Sequence, residues 1–328
     1  MTEVVHVAVA VIFDEDDRVC LSLRHEHSHQ GGLWEFPGGK IEQDENVEQA
    51  LHREIKEELD LVISASRPLI TVEHDYSDKT VCLHVHRVTG YEGKAVGVEG
   101  QQVRWAAVSE LSSLDFPSAN RAIIKSLLLP ERYLITGKFK DPDDFLEKLQ
   151  TALQNNISLV QLRLKAGQLS SIADVQPLVE QSSILCKNKA ARLMINIAED
   201  YRSALDLSRI TYSGVHADSR MLMTLSEGKV SALRSNTEDK MLLSASCHTA
   251  GELERAVQLG ADFVVLSPVQ KTMSHPDMEP IGWQKFSEMV RNVQIPVYAL
   301  GGVSESDIAA AWSHGGQGVA AISAYWKS

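Results

Sequence analysis

Eight short apolar runs follow Arg132, and helix-like segments such as DPDDFLEKLQTALQ separate most of them. The runs are YLIT, SLVQLRL, RLMIN, YSGVH, MLLSAS, DFVVLS, PVYAL and QGVAAIS. Short apolar strands that alternate with helices predict a parallel sheet. Eight such units predict a closed α/β TIM barrel of the (β/α)8 type, whose functional side chains lie at the carboxyl ends of the strands.

The chain before this region has a different pattern. Its strand-like segments are VHVAVAVIF, RVCLSLR, TVEHDY, TVCLHVHRV and QVRWAAV, with a loop GGLWEFPGGK and a last helix SANRAIIKSLLL that ends at Pro130. Strands with inserted helices predict an α+β fold, a mixed sheet between helices. We therefore predict two domains, residues 1–129 and residues 130–328.

The composition of the chain limits the classes of partner that it could bind. The net charge of −12 argues against polymeric nucleic acid and anionic membranes, which favour a basic surface. A nucleotide remains possible, since it needs only a local cationic pocket. The sequence has no apolar run of about 20 residues and no signal-peptide pattern. Its four cysteines are far apart, so we expect reduced thiols and a cytoplasmic location.

A helix rich in glutamate follows the Gly/Pro-rich loop. Its apolar stripe consists of Val47, Ala50, Leu51, Ile55 and Leu59. Glu54 and Glu58 fall inside this stripe and Glu57 falls at its edge. A buried carboxylate is costly unless it is paired or bound to metal. Because the glutamates are spaced i, i+3 and i+4, they project together and suit Mg²⁺ or Mn²⁺. The alternative is a solvated acidic face.

The longer pattern is more specific. Gly39, five residues, Glu45, seven residues and then REIKEE resembles the Nudix box. The loop LWEFPGGKIE is similar to that of MutT-type Nudix hydrolases, and the likeness covers residues 3–129. Asp60 stands where that family usually has glycine. Aspartate tolerates a left-handed helix end better than most residues, so this departure changes little.

The resemblance implies roles for individual residues. The metal ligands would be Glu54, Glu57, Glu58, Glu99 and the Gly38 carbonyl, with Arg53 anchoring the glutamates by salt bridges. The nucleotide contacts would be Arg24, Phe36 and Asn120. Asn120 would recognise the edge of an oxidised purine. Alternatives from the residues themselves are that Arg24 is a surface cation and that Asn120 is a helix N-cap.

The implied chemistry is hydrolysis of a phosphoanhydride. Metal ions would neutralise phosphate oxygens, and glutamate would accept the proton of the attacking water. We expect a Mg²⁺-dependent nucleoside triphosphate diphosphatase that converts 8-oxo-dGTP to 8-oxo-dGMP and pyrophosphate. The wrong base would be rejected because it leaves buried polar groups unpaired.

The barrel segments VQLRLK, SASCHTAGELERAVQLGADFVVLSPV, IPVYALGGV and GVAAISAYW resemble thiamine phosphate synthase and the thiazole tautomerase TenI over residues 132–328. The resemblance implies a diphosphate site at Gln161, Arg163 and Lys165. Further ligand positions would be Asn196, Ser246, Thr272, and a phosphate site of backbone N–H groups at Gly301, Gly302, Ile322 and Ser323. His248 matches a catalytic histidine of the tautomerase.

Departures from the synthase pattern are informative. Its Asn-Asp pair is Asn196-Ile197 here, and Met221 stands at a second acidic position, with Asp218 out of register. The phosphate-binding Thr-x-Thr-Lys is Thr272-Met273-Ser274-His275, without the lysine. Without those charges the departure of pyrophosphate has no support, so we expect synthase activity to be lost.

Alternative functions remain open. The first unit would hydrolyse thiamine-related diphosphates while the barrel binds or isomerises a thiazole or pyrimidine phosphate. In another alternative, the barrel is a binding scaffold without catalysis. His248 would then be a pocket residue, and Cys247 is a small buried residue with no adjacent base.

Two groups of histidines have no assigned role. The segment RHEHSHQ, residues 24–30, suggests either a metal cluster or a polar loop beside the nucleotide pocket. His84 and His86 alternate on a predicted strand, so they share one face, which is a candidate wall of the substrate cleft.

Overall fold

The computed structural model describes residues 4–27, 30–76, 79–235, 241–272, 279–291 and 293–327. Two compact units are present, Met1–Leu129 with Val290–Pro296 and Pro130–Met289 with Val297–Ser328. Within the described residues, no helix is both long and apolar enough to cross a membrane.

The first unit has the predicted α+β fold. Its strands are β1 Val4–Val11, β2 Arg18–Leu23, β3 Trp34–Glu35, β4 Gly38–Lys40, β5 Val62–Asp75, β6 Thr80–Glu92 and β7 Val103–Ala107, and its helices are α1 Val47–Leu59, the 3-10 helix Val108–Ser113 and α2 Asn120–Leu127. Strand order β4-β1-β6-β5 forms a mixed sheet, in which β1 is parallel to β6 and the other pairs are antiparallel. A second, antiparallel sheet has the order β3-β2-β7.

The mixed sheet has two faces that the alternation of β1 side chains makes distinct. Ala8 and Ala10 pack with the buried residues of α1, and this side is called the α1 face. Val9 and Val11 pack with Ile123 of α2, and this side is called the α2 face. Residues two apart on a strand share a face. The four β1 residues therefore serve as reference positions, and a residue paired with one of them in the sheet lies on the same face.

Local sequence signals fix both ends of α1. Asn46 caps its first turn in a capping box with Gln49. Asp60 ends it in the left-handed conformation, with φ 56°, as expected for the residue that replaces glycine. Ala50, Leu51, Ile55 and Leu59 are buried, so the apolar stripe faces the core as predicted.

The second unit is the predicted barrel. Its strands are β8 Arg132–Ile135, β9 Leu159–Leu164, β10 Arg192–Ile197, β11 Gly214–Ala217, β12 Leu242–Cys247, β13 Phe263–Leu266, β14 Val297–Leu300 and β15 Gly318–Ala321. They close in the order β10-β11-β12-β13-β14-β15-β8-β9, with all neighbours parallel. The helices are α3 Pro142–Gln154, α4 Val175–Asn188, α5 Glu199–Arg202, α6 Ser219–Thr224, α7 Glu227–Ser235, α8 Ala250–Gln258, α9 Gly282–Val290 and α10 Ile308–Ser313.

Candidate functional sites

The glutamates of α1 meet the loop that contains Gly38 and Gly39. The Gly38 N–H donates to Glu58 Oε2 at 3.0 Å. A Cβ on Gly39 would lie 2.2 Å from the carboxyl carbon of Glu54, so only glycine lets this carboxylate lie against the loop. The Glu54 side chain is 16% exposed and that of Glu57 is 56% exposed, which matches the predicted positions inside and at the edge of the stripe.

Arg53 links the acidic residues to one another. Its Nε and Nη2 donate to the two carboxylate oxygens of Glu45, each at 2.8 Å. Its Nη1 donates to Glu54 Oε1 at 2.8 Å and to Glu57 Oε2 at 3.2 Å. The hydrogen bonds from Arg53 lower the pKa of Glu45 to about 2. The guanidinium therefore orients Glu54 and Glu57 while Glu45 holds it in place.

Glu99 lies on a loop that is fixed to the end of α1. The Val98 N–H donates to the Glu58 carbonyl at 3.0 Å, and the side-chain Nε2 of Gln101 donates to the same carbonyl at 2.9 Å. The Glu99 N–H in turn donates to Gln101 Oε1 at 3.0 Å. These bonds bring an exposed carboxylate from a distant part of the chain to the glutamates of α1.

The cluster carries more negative charge than it can balance alone. Burial raises the pKa of Glu58 to about 8, and the charges of Glu35, Glu54 and Glu99 also raise it. A bound cation would offset this repulsion, and carboxylate oxygens are the ligands that Mg²⁺ and Mn²⁺ prefer. The carboxylates of Glu54, Glu57, Glu58 and Glu99 are therefore of the type that suits a hard divalent ion, although within the described residues they do not form a group of three ligand atoms within 4.8 Å of one another.

Glu35 is a member of this site that the sequence analysis missed. Burial raises the pKa of its carboxyl, and the charge of Arg24 opposes that shift. The two side chains form an ion pair in which each is about a quarter exposed. Arg24 is therefore not a surface cation. The neighbours of Glu35 in sequence gave no signal for its burial, because successive side chains on a strand point to opposite faces.

Phe36 and Asn120 lie on the α2 face. Phe36 is 3% exposed and stacks on Phe116, with ring centroids 5.6 Å apart. The Trp34 N–H donates to the Asp115 carbonyl at 2.9 Å, so the loop before α2 is joined to the segment that leads to Gly38. Phe36 belongs to the core, and a base could contact little more than its edge.

Asn120 is the first residue of α2 and is 7% exposed, and its amide is not among the fully buried polar atoms that lack a partner in the described residues. Ala119 takes the N-cap position of α2 and makes no side-chain cap, so the alternative role of Asn120 as an N-cap is wrong. An amide carries both a donor and an acceptor, so this side chain can pair with a ligand that offers one of each.

His84 and His86 share one face of the sheet, as predicted, since they pair with Ala8 and Ala10 in the β1–β6 ladder. This is the α1 face, opposite the one on which Phe36 packs. Their role as a wall of the substrate cleft stays a prediction. Among the described residues, His25 and His27 belong to no ligand-like group. Ser28 and His29 of the same segment lie outside the described residues.

The predicted barrel positions gather at the carboxyl ends of the strands, with one exception. Arg163 and Lys165 lie at the end of β9, Asn196 at the end of β10, Ser246 and His248 at the end of β12, Thr272 after β13, Gly301 and Gly302 after β14, and Ile322 and Ser323 after β15. Gln161 is the exception, because it lies inside the barrel and is 1% exposed.

Gln161 takes part in a polar network that crosses the barrel interior. Its Oε1 accepts from Asn196 Nδ2 at 3.0 Å and its Nε2 donates to Tyr133 Oη at 3.1 Å. Predicting a diphosphate contact for Gln161 was therefore wrong: its amide orients Asn196 instead. His216, which the sequence analysis overlooked, bonds to Ser246 Oγ at 2.8 Å, and burial lowers the pKa of this histidine to about 3.

Cations gather where β8 and β9 end. The charge of Arg163 lowers the pKa of Lys165, and burial and Lys138 lower it further. Burial lowers the pKa of Arg163, while the charge of Asp218 raises it. Asp218 caps α6 by accepting from the Met221 N–H at 2.8 Å. Mutual repulsion of three cations marks a place where an anion would be stabilised.

The remaining barrel positions lie in loops that follow neighbouring strands. Gly301 and Gly302 have φ of 94° and 70°, and a Cβ on Gly302 would lie 2.4 Å from the Lys271 carbonyl, so both require glycine. His248 is exposed, and its Nδ1 bonds to the Ser267 carbonyl at 2.9 Å. Cys247 is buried, as expected. Met273, Ser274 and His275 lie outside the described residues.

Comparison of the sequence with known proteins identifies the families to which the two units are similar. The sequence profile of the NUDIX domain matches residues 8–126, and that of thiamine monophosphate synthase matches residues 132–325. "Putative thiamine-phosphate synthase 2" of Aquifex aeolicus (strain VF5) is 33% identical over 200 residues, which cover 60% of this chain and 98% of the relative. The 8-oxo-dGTP diphosphatase of Escherichia coli (strain K12) is 34% identical over 121 residues, 37% of this chain and 94% of the relative. The CTP pyrophosphohydrolase of Escherichia coli (strain K12) is 35% identical over 111 residues, 34% of this chain and 81% of the relative.

Proposed function

Because this chain belongs to the Nudix family through its first unit and to the thiamine monophosphate synthase family through its second, we propose that it is a Mg²⁺-dependent 8-oxo-dGTP diphosphatase with a phosphate-binding barrel. Nudix membership makes the first unit a hydrolase of phosphoric anhydrides. The nucleotide and the state of the barrel are the proposed parts.

The carboxylate cluster supplies the reaction. Bound there, Mg²⁺ would neutralise the oxygens of the triphosphate, which otherwise repel an attacking water. Arg53 holds Glu54 and Glu57 in fixed orientations. A glutamate of the cluster accepts the proton of the water as the α–β phosphoanhydride breaks. The products are the nucleoside monophosphate and pyrophosphate.

Asn120 is the single observation that favours an oxidised purine. Guanine presents acceptors at N7 and O6, whereas oxidation at C8 turns N7 into an N–H donor. The Asn120 amide, at the first residue of α2, can accept from that N–H and donate to O6. Unmodified guanine leaves the amide oxygen unpaired, which costs binding energy.

A substrate panel on the full chain tests this proposal. Initial rates with Mg²⁺ are compared for 8-oxo-dGTP, dGTP, CTP and thiamine diphosphate, and the products are identified. We expect a strong preference for 8-oxo-dGTP with release of pyrophosphate. A preference for CTP would instead indicate the substrate of the CTP pyrophosphohydrolase relative and would contradict the assignment of a purine substrate. Equal slow rates on all four compounds would overturn the proposed preference for an oxidised purine nucleotide.

For the barrel, we propose binding of a phosphorylated thiazole or pyrimidine without synthesis of thiamine phosphate. The repelling cations Arg163, Lys165 and Lys138 favour an anionic ligand. Ile197 replaces an acidic ligand and Asp218 is used as a helix cap, so metal-assisted loss of pyrophosphate lacks its acids. Calorimetric titration with thiazole phosphate tests binding, and formation of thiamine phosphate by the full chain would contradict the loss of synthesis.

A further inference from the structure

Three side chains with metal-ligating atoms meet on the α1 face, outside the carboxylate cluster. In the parallel β1–β6 ladder, His6 pairs with Cys82 and Ala8 pairs with His84. Paired residues in a ladder share a face, and so do residues two apart on one strand. His6, Cys82 and His84 therefore project from the same side of two strands that the sheet holds together.

The distances between their ligand atoms are short. His6 Nδ1 lies 3.0 Å from His84 Nε2, and Cys82 Sγ lies 3.6 Å from the same nitrogen. All the ligand atoms of the three residues lie within 4.8 Å of one another. For tetrahedral zinc, ligand bonds of about 2.0 and 2.3 Å place two nitrogens about 3.3 Å apart and a sulfur and a nitrogen about 3.6 Å apart. The distance from Cys82 Sγ to His84 Nε2 already fits, the distance between Cys82 and His6 ligand atoms is within 4.8 Å, and the two imidazole nitrogens need to separate by a few tenths of an ångström.

We propose that His6, Cys82 and His84 form a binding site for a divalent transition metal ion of the Zn²⁺ type. Thiolate and imidazole select such ions, whereas carboxylates select Mg²⁺ and Mn²⁺. The site is distinct from the Nudix cluster in its residues and in its chemistry. None of the three side chains hydrogen-bonds to a glutamate of α1 within the described residues.

Burial and neighbouring residues are compatible with this role. Cys82 is 7% exposed and His84 is half-buried, while His6 is exposed and provides a path for the ion from solvent. Glu73 pairs with Cys82 across the β5–β6 ladder and therefore lies on the same face, where its carboxylate is a candidate fourth ligand. On binding, the thiol of Cys82 releases its proton to solvent, since the thiolate is the ligand.

The bound ion would join β1 to β6 through their side chains. In the metal-free protein, His6 and His84 form a stacked pair with ring centroids 5.3 Å apart. An ion that binds only the folded arrangement stabilises it in proportion to its occupancy. The site would therefore make the thermal stability of the first unit depend on zinc, independently of Mg²⁺.

Cobalt titration of the full chain tests the site. The protein is stripped with chelator, kept reduced with a phosphine and titrated with Co²⁺, then with Zn²⁺. We expect tetrahedral d–d bands and a sulfur-to-cobalt charge-transfer band that saturate at one ion per chain and are removed by Zn²⁺. Cys82→Ser should abolish the charge-transfer band. His84→Ala should weaken binding by at least about tenfold, because loss of a ligand costs no less than loss of its supporting contacts.

Matched variants separate this site from the others. His52→Ala removes an exposed histidine of α1, and Glu57→Gln alters the carboxylate cluster; both should keep the cobalt bands. His6→Ala changes an exposed side chain, so it should lose tight binding without a folding defect. Absence of the charge-transfer band in the wild-type protein, its survival in Cys82→Ser, or unchanged cobalt affinity in His6→Ala would overturn the proposal. Loss of hydrolysis in Glu57→Gln with intact cobalt bands would show that the two metal sites are independent.

Discussion

The two units keep opposite charges at their candidate sites, and they differ in how completely each family pattern is retained. In the Nudix unit, Glu54, Glu57, Glu58 and Glu99 are all present, and Arg53 and the loop glycines hold them in place. In the barrel, the cations Arg163 and Lys165 remain, but Ile197 occupies an acidic position. Binding groups can persist where the groups that drive bond cleavage are replaced. This difference supports the proposal that the first unit is catalytic and that the barrel binds an anion without synthesis.

The largest expected effect tests the Nudix side of this comparison. Glu57→Gln should lower kcat/KM by about a thousandfold, because it removes a ligand charge worth several kcal/mol in the transition state while keeping the volume. The thermal midpoint of unfolding should change little, since Glu57 is 56% exposed. Glu48→Gln, an exposed acid in the first turn of the same helix, is the control. If Glu57→Gln and Glu48→Gln were equally active, Glu57 would not be a metal ligand.

Gly39→Ala tests whether the loop positions the acids. The added methyl group would lie about 2 Å from the Glu54 carboxylate, so the carboxylate must move. A displacement of this size should lower kcat/KM by about tenfold to a hundredfold. Gly251→Ala is the control, because a Cβ there meets open space. Wild-type rates in Gly39→Ala would mean that Glu54 need not touch the loop.

Titration of Glu58 should make Mg²⁺ binding depend on pH. Its pKa of about 8 lies above the ordinary 4.5, so metal-free folded protein retains a proton that the unfolded chain loses. Stability without metal should therefore fall as pH rises from about 4.5 towards 8, while Mg²⁺ affinity should rise by up to about tenfold per pH unit. Calorimetry at pH 6, 7 and 8 measures this effect. Glu58→Gln should flatten the dependence of both quantities, and an unchanged slope in that variant would assign the proton elsewhere.

Asn120→Ala should affect discrimination more than turnover. Loss of one hydrogen bond should reduce the preference for 8-oxo-dGTP over dGTP by about fivefold to tenfold. The ratio of kcat/KM values for the two nucleotides is the measurement. Arg121→Ala, at the next and exposed position of α2, is the control. If Asn120→Ala slowed both nucleotides by the same factor, the amide would not recognise the base.

The smallest effect is expected in the barrel. Lys165→Ala should weaken binding of pyrophosphate by about twofold to fivefold, the range of an exposed ion pair. Lys189→Ala, at the end of α4, should leave binding unchanged. Calorimetric titration of pyrophosphate without divalent metal separates this site from the carboxylate cluster. Identical affinities in the two variants would locate the anion elsewhere.

Particular residues mark how far the sequence could predict the structure. The barrel strands and the buried side of α1 followed from periodicity, because the hydrophobic effect acts on every turn or strand independently of distant contacts. Glu35 and His216 were missed because their burial depends on neighbours far along the chain. Gln161 was misassigned because the register that turns it inward is set by the closure of β9 against β8 and β10.

By itself, the sequence determined the class of each unit and the spacing that groups Glu54, Glu57 and Glu58 on one helix. Only the tertiary structure decided that Glu35 adds its charge to them and that His6 meets Cys82 and His84. The physical reason is that helical periodicity is a property of a few consecutive residues. Charge, burial and ligand geometry depend on which distant segments the sheet brings together.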